Sequence, residues 1–214
     1  MAQRKEKKLL PKMDHRTGPV ELASCSFGQS SKVSYIQMAT AICAIVNGGN
    51  LMQPYVVAQV RDASGRILRQ TQPTIKRRVI SEATSAQMCA MMQAVVDAGG
   101  GHNAQIAGYR VGGKSGTSQK LDSDDEKARI SSFVAVAPMD APQYLVMVCL
   151  DEPHSWSTAG GSLSAPVCAE VLKKILVRRG IPRDTALMLE EEGRQAAAAA
   201  AEVPLDGDTD DGLG

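Results

Sequence analysis

Apolar residues crowd the stretch 36–46, where only Gln37 and Thr40 are polar, so the chain predicts a helix over 35–46 that is apolar nearly all round. A helix of that kind belongs in the middle of a domain rather than on its surface. Ser34 and Gln37 have the spacing of a capping box, in which a hydroxyl and an amide side chain each satisfy an orphaned backbone donor. Val33 and Met38 stand at the staple positions around that cap, and Asn47-Gly48-Gly49 supplies residues that tolerate the left-handed conformation at the helix end. A hairpin is expected next, from 55–60 through Arg61-Asp62-Ala63-Ser64-Gly65 to 66–70, closed by Pro73. A second helix, over 82–98, is capped by Ser81. Its Met88, Met91, Met92 and Val95 fall on one helical stripe, which reads as core.

Two strand-like runs, 130–137 and 144–150, flank the short turn from Pro138 to Gln143, which forces antiparallel pairing. A last helix is expected over 166–179, with Pro166 in its first turn and Gly180-Ile181-Pro182 at its end. Cys168, Val171, Leu172 and Ile175 form its expected buried face, and Arg178 and Arg179 suit the negative pole of its dipole. Beyond Arg183 come Glu190-Glu191-Glu192, a run of alanines and an Asp/Gly-rich end. The alanine run can be helical but has no evident core to join, so 183–214 reads as an acidic, alanine-rich mobile tail.

Composition narrows the class without naming a chemistry. A length of 214 residues suits one domain with a sizeable core, or part of a larger one. The net charge of +1 gives no electrostatic reason to expect nucleic acid. Charge is uneven, with a basic start from Arg4 to Arg16 and an acidic end from Asp184 onward. No run of about 18 apolar residues predicts a membrane helix, and Pro11-Lys12 interrupts the start too early for a secretory leader. Cys25, Cys43, Cys89, Cys149 and Cys168 are scattered without C-x-x-C spacing, so buried free thiols are expected, with no metal site, disulfide framework or cofactor. His15, His102 and His154 lack a defensible nucleophile partner and read as surface or loop residues.

The segment Gly113-Lys114-Ser115-Gly116-Thr117 admits two chemistries. With Gly108 it completes a phosphate-loop pattern, and the acidic end of 145–152 imitates a magnesium-holding strand. That reading needs a buried strand before the loop and a helix after it. Residues 99–107 hold no such strand, and 116–125 contain one large apolar residue, Leu121, so nucleotide binding is the minor alternative. The competing reading puts Lys114-Ser115-Gly116 on a strand at the edge of a cleft. Gly116 leaves room for a substrate lying along the strand. Lys114 supplies positive potential, and the hydroxyls of Ser115 and Thr117 donate to a carboxylate. An ideal strand would turn Lys114 and Gly116 away from Ser115 and Thr117, so a twist or bulge is expected to re-aim them.

Four stretches in order carry a wider resemblance: Ala23-Ser24-Cys25-Ser26-Phe27-Gly28-Gln29; Val33-Ser34-Tyr35-Ile36-Gln37-Met38-Ala39 with Asn47-Gly48-Gly49; Gly108 to Gln119; and Asp151-Glu152-Pro153 with Ala165-Pro166-Val167. Over about 20–182 the chain resembles the C-terminal half of the transpeptidase domain of class B penicillin-binding proteins, the serine D,D-transpeptidases that cross-link peptidoglycan. Ser115 replaces the commoner threonine and Gly113 the commoner alanine, keeping the hydroxyl and the small volume. The resemblance implies an α/β fold of the α+β type: an antiparallel sheet segment with a C-terminal helix and a helical lobe, part of the penicillin-binding and serine β-lactamase-like fold. It implies that Lys114 supports the proton network and that Ser115, Gly116 and Thr117 bind the carboxylate of a stem peptide or β-lactam. The backbone N–H of Thr117 would be one oxyanion donor. The family acts outside the cytoplasm, anchored to the cell membrane.

The family's Ser-x-x-Lys and Ser-x-Asn motifs are absent: no lysine has a serine three positions earlier, and no asparagine has one two earlier. The expectation is an N-terminal truncation that leaves the nucleophile helix, two sheet strands and the anchor outside this chain. The domain division expected is a basic, poorly matched 1–19, the transpeptidase half over 20–182, and the tail from 183. Alone, the chain is expected to be inactive: one half of a split enzyme that meets a separately encoded N-terminal half, or a non-catalytic remnant that still binds peptide or carboxylate.

Overall fold

The computed structural model describes residues 18–26, 28, 33–120, 123, 125 and 127–201. The expectations placed on the basic start, on His15, and on Phe27 and Gln29 of the first motif therefore lie outside the described residues. A short helix, α1 (Pro19–Ser26), precedes α2 (Tyr35–Val46), which begins on the expected capping box. The Gln37 amide donates to Ser34 Oγ at 3.3 Å, and the Ser34 amide donates to Gln37 Oε1 at 3.0 Å. Gly49, at φ +88°, ends the turn against Ile80, whose carbonyl would sit 2.0 Å from a Cβ placed there.

Two small antiparallel ladders follow. One pairs β1 (Asn50–Met52) with β4 (Ile75–Arg78), and inside it β2 (Gln59–Arg61) pairs with β3 (Ile67–Gln70). The hairpin is the expected one, shortened. Its turn is closed by Asp62 Oδ1, which accepts from the amides of Ser64 and Arg66, both at 3.0 Å. The outer ladder escaped the sequence pattern because Lys76, Arg77 and Arg78 give β4 no apolar alternation.

Helix α3 (Glu82–Asp97) starts on Ser81 as expected and is tied to α2 by Ser85. Its Oγ donates to Ile45 O at 2.5 Å and accepts from the Gly48 amide at 3.0 Å. The methionine stripe is not all core: Met92 is buried, while Met91 is 60% exposed. Likewise α2 buries only Ala44 and Val46, and Ile36 is 58% exposed, so this apolar helix lies at the surface of the described structure. The residues described bring no layer against its outer side.

The main sheet is β5 (Gly112–Gln119), β6 (Arg129–Ala137) and β7 (Tyr144–Asp151), antiparallel and in that order. Alternation along β6 splits the core in two. Phe133, Ala135 and Ala137 pack with Ala165, Cys168, Leu172 and Leu176 of α4 (Gly160–Arg178), while Val134 and Val136 pack with Val46, Met92 and Met139. The sheet is thus covered by α4 on one face and by α2 and α3 on the other.

Helix α4 begins at Gly160, earlier than expected, and holds Pro166 inside it. Glycine at 160 lets the backbone run close to Ser132 and Gly116 of the sheet, and glycine at 161 lets it pass Gly100, where the helix starts. Its buried stripe also differs. Leu172 and Leu176 are fully buried, but Val171 is 41% exposed and Ile175 is half-buried, because the face turned to the sheet follows the steps 168, 172, 176. After α4 the chain does find contacts. The Asp184 amide donates to Gly108 O at 2.8 Å, Tyr109 Oη donates to Ile181 O at 2.9 Å, and α5 (Thr185–Ala201) follows. Among the described residues no helix is long and apolar enough to cross a membrane.

Candidate functional site

Among the described residues β5 is an edge of the three-stranded sheet, with no strand paired on one side of its backbone, where an extended ligand can pair. The strand lines up with β6 without a shift from Gly112 to Gln119: Lys114 faces Val134, Ser115 faces Phe133, Gly116 faces Ser132 and Thr117 faces Ser131. Of the twist or bulge expected to re-aim these side chains, the bulge is not present in this register. Lys114 and Gly116 lie on the face of α2 and α3, and Ser115 and Thr117 on the face of α4. A ligand lying along the edge therefore meets the amine from one side and the hydroxyls from the other.

Each position is set by close packing. Gly113 has no room for a side chain, since a Cβ would come within 2.6 Å of the Phe133 ring. At Gly116 a Cβ would meet Ser132 Oγ at 2.6 Å, and that hydroxyl donates to Gly116 O at 3.2 Å. Lys114 is exposed, and its Nζ donates to Ser115 O at 2.7 Å, which folds the amine back over its own strand. Thr117 is exposed, and its Oγ1 accepts from the Gly160 amide at 3.2 Å.

Lys114 also lines an apolar groove of about 300 Å³ with Met38, Ile42, Ile45, Met88 and Met91. A second apolar groove, about 380 Å³, lies along the other flank of α2 and includes Ile36, Cys43, Val136 and Tyr144. Contiguous open apolar surface of this sort marks an interaction surface or a ligand groove.

Beyond Thr117 the strand end is braced by Lys120. Its Nζ lies 3.1 Å from Asp151 Oδ1 and 2.9 Å from Glu152 Oε1, joining the end of β5 to the end of β7 across β6. The hydrogen bond to Glu152, then that to Asp151, holds the ammonium above the ordinary lysine value. Glu152 is held below the usual carboxylate range by Lys120 first and by Ser123 second. This ion pair is the actual partner of the acids that imitate a magnesium strand. Lys114 and Ser115 sit mid-strand with no helix opening after them, so a phosphate loop is excluded by geometry.

The model of the penicillin binding protein transpeptidase domain matches residues 5–173. This chain belongs to the penicillin-binding protein transpeptidase family. The match reaches back into the basic start that sequence reasoning left unassigned. Stage V sporulation protein D of Bacillus subtilis is 37% identical over 193 residues, covering 88% of this chain and 30% of that protein. The probable peptidoglycan D,D-transpeptidase FtsI of Caulobacter vibrioides is 33% identical over 199 residues, covering 84% and 32%. Among solved structures, the apo transpeptidase domain of Burkholderia pseudomallei penicillin-binding protein 3 matches with a TM-score of 0.65 and 36% identity, over 78% of this chain and 48% of that one. The chain thus spans about a third of the length of the curated relatives it matches.

Within this transpeptidase segment, Lys114, Ser115, Gly116 and Thr117 are contiguous along one edge, as the sequence placed them. Sequence reasoning missed Ser132, Gly160 and Lys120, the residues that hold that edge in place. Gly160-Gly161 carried the one usable signal, two adjacent glycines just before a predicted helix.

Proposed function

We propose that this chain forms the substrate-clamping wall of a serine D,D-transpeptidase site, acting in peptidoglycan cross-linking. The observation that carries the reading is the open edge of β5, with an amine on one side and two hydroxyls on the other. An extended stem peptide, or a β-lactam that imitates it, pairs with the edge, and the hydroxyls of Ser115 and Thr117 take its carboxylate. Lys114 supports the proton network on the groove side. The backbone amide of Thr117 serves as one oxyanion donor.

The nucleophilic serine comes from a segment outside these 214 residues, in the same or a separate polypeptide. Its helix seats in the apolar groove beside Lys114, where Met38, Ile42, Met88 and Met91 await an apolar face. The serine then lies on the same side of the strand as the lysine amine, as acyl transfer requires. The boundary at 182/183 belongs to this proposal, as does a site of action outside the cytoplasm.

Labelling with a fluorescent penicillin tests the reading. The purified chain gives no covalent adduct, and co-expression with a segment bearing Ser-x-x-Lys restores labelling on that segment. An adduct on this chain alone overturns the assignment of the nucleophile. Failure of every such segment to restore labelling favours an inert remnant instead.

A further inference from the structure

The carboxylate wall contains a contact with a consequence of its own for the Thr117 hydroxyl. A hydroxyl has one proton to donate and two lone pairs that accept. The Gly160 amide, the first N–H of α4, occupies a lone pair of Thr117 Oγ1 at 3.2 Å, which leaves the proton of this exposed side chain to point elsewhere. The positive pole of the 19-residue α4 adjoins that oxygen, and a hydroxyl that accepts a hydrogen bond becomes a better donor.

This approach depends on the absence of a side chain at 160. A Cβ there would lie 2.0 Å from Ser132 O and 2.8 Å from Gly116 O, both backbone atoms that cannot swing away. Gly161 is equally confined, with Gly100 O 2.1 Å from a would-be Cβ. Two side-chain bonds pin the same turn: Asn103 Nδ2 donates to Gly161 O at 2.9 Å, and Ser164 Oγ donates to Ser131 O at 3.2 Å. The head of α4 is therefore fastened to the strand pair that carries the wall, and its first amide meets Thr117.

We propose that Gly160 is a positioning residue: its N–H fixes the Thr117 hydroxyl as a donor aimed at the carboxylate of a stem peptide or β-lactam. The proposal rests on reading Ser115 to Thr117 as a carboxylate wall. Gly160 itself touches no ligand.

The test uses the full ¹⁵N-labelled chain, titrated with benzylpenicillin and, separately, with its methyl ester. The acid shifts the amide signals of residues 115–117 and of Gly160 at concentrations at least about tenfold lower than the ester needs, the scale of one hydrogen bond to a charged group. Hydrogen exchange at Gly160 accelerates about tenfold or more in Thr117→Val, which loses the acceptor, and stays protected in Thr117→Ser. In Gly160→Ala the preference for acid over ester falls at least about tenfold, the scale of one hydrogen bond to a charged group. Merely structural damage would weaken both ligands alike and leave the ratio unchanged. If Gly160→Ala does not fold, the wild-type titration and the Thr117 pair decide. No acid-selective response at 115–117 would sink the wall reading itself. A response there with a silent Gly160, or with unchanged exchange in Thr117→Val, overturns this proposal alone.

Discussion

Gly116→Ala is the substitution whose magnitude can be worked from single contacts. The added methyl would lie 2.6 Å from Ser132 Oγ, and the next nearest atom, Ser132 Cβ, is at an ordinary 4.0 Å. The strain is thus relieved if one hydroxyl rotates. That rotation forfeits the bond from Ser132 Oγ to Gly116 O, a loss of about 1 kcal/mol for a neutral side-chain hydrogen bond. Moving the backbone instead would cost about 1–3 kcal/mol, as overpacking does, so the rotation wins. Ser132→Ala alone removes the same bond and also costs about 1 kcal/mol. The double variant then costs about 1 kcal/mol rather than 2, because the second change has nothing left to remove; the coupling is about 1 kcal/mol. Urea unfolding of the four proteins measures this from midpoints at constant slope. Strict additivity, or a Gly116→Ala loss of about 2 kcal/mol or more, would refute the argument by showing that the strand backbone rather than the hydroxyl gives way.

Other outcomes follow from burial and charge. Met92→Ala should cost about 2–5 kcal/mol, whereas Met91→Gln, on the exposed part of the same stripe, should stay within about 0.5 kcal/mol in the same assay. The chain at high concentration should self-associate through the grooves flanking α2, and Ile36→Asp should shift sedimentation toward monomer; unchanged oligomers would reject α2 as the contact. Glu152 has a depressed folded value, so its contribution is present above the unfolded carboxylate value and is lost as pH falls through the folded one. Protection factors of the amides around Lys120 and Ser123 should therefore fall in acid, and Lys120→Met should weaken that dependence, leaving the part due to Ser123. Cys168, fully buried with its thiol pushed up to about 11 by burial, should resist iodoacetamide until the protein unfolds.

Sequence reached those features whose cause is local. The cap at Ser34 and Gln37, the stop at Gly48-Gly49 and the start at Ser81 are each decided within a few residues, and all three form as read. The antiparallel pairing of β6 with β7 followed from one short turn. What sequence misjudged is decided by distant backbone. The early start of α4 depends on Gly160 meeting Ser132 O and Gly161 meeting Gly100 O, partners far away along the chain. The exposure of Met91 depends on what stands opposite, which no periodicity can report. The site divides the same way: Lys114 to Thr117 are legible as a string, but their fixing by Ser132, Gly160 and Lys120 exists only once strands and helix meet.

Helix α2 sharpens the last point. Its apolar residues run all round, yet only Ala44 and Val46 are buried, and open grooves lie along both its flanks. A surface helix normally shows one apolar stripe and one polar face, and α2 lacks the polar face. Its sequence is suited to contacts on sides where the described residues provide none. One of those sides is continuous with Lys114, so whatever covers it also abuts the reactive face of β5. On the proposed function, burying α2 and supplying the nucleophile are then one event. A segment bearing Ser-x-x-Lys should therefore raise the stability of this chain and restore penicillin labelling over the same concentration range. Stabilisation without labelling, or labelling without stabilisation, would break that link.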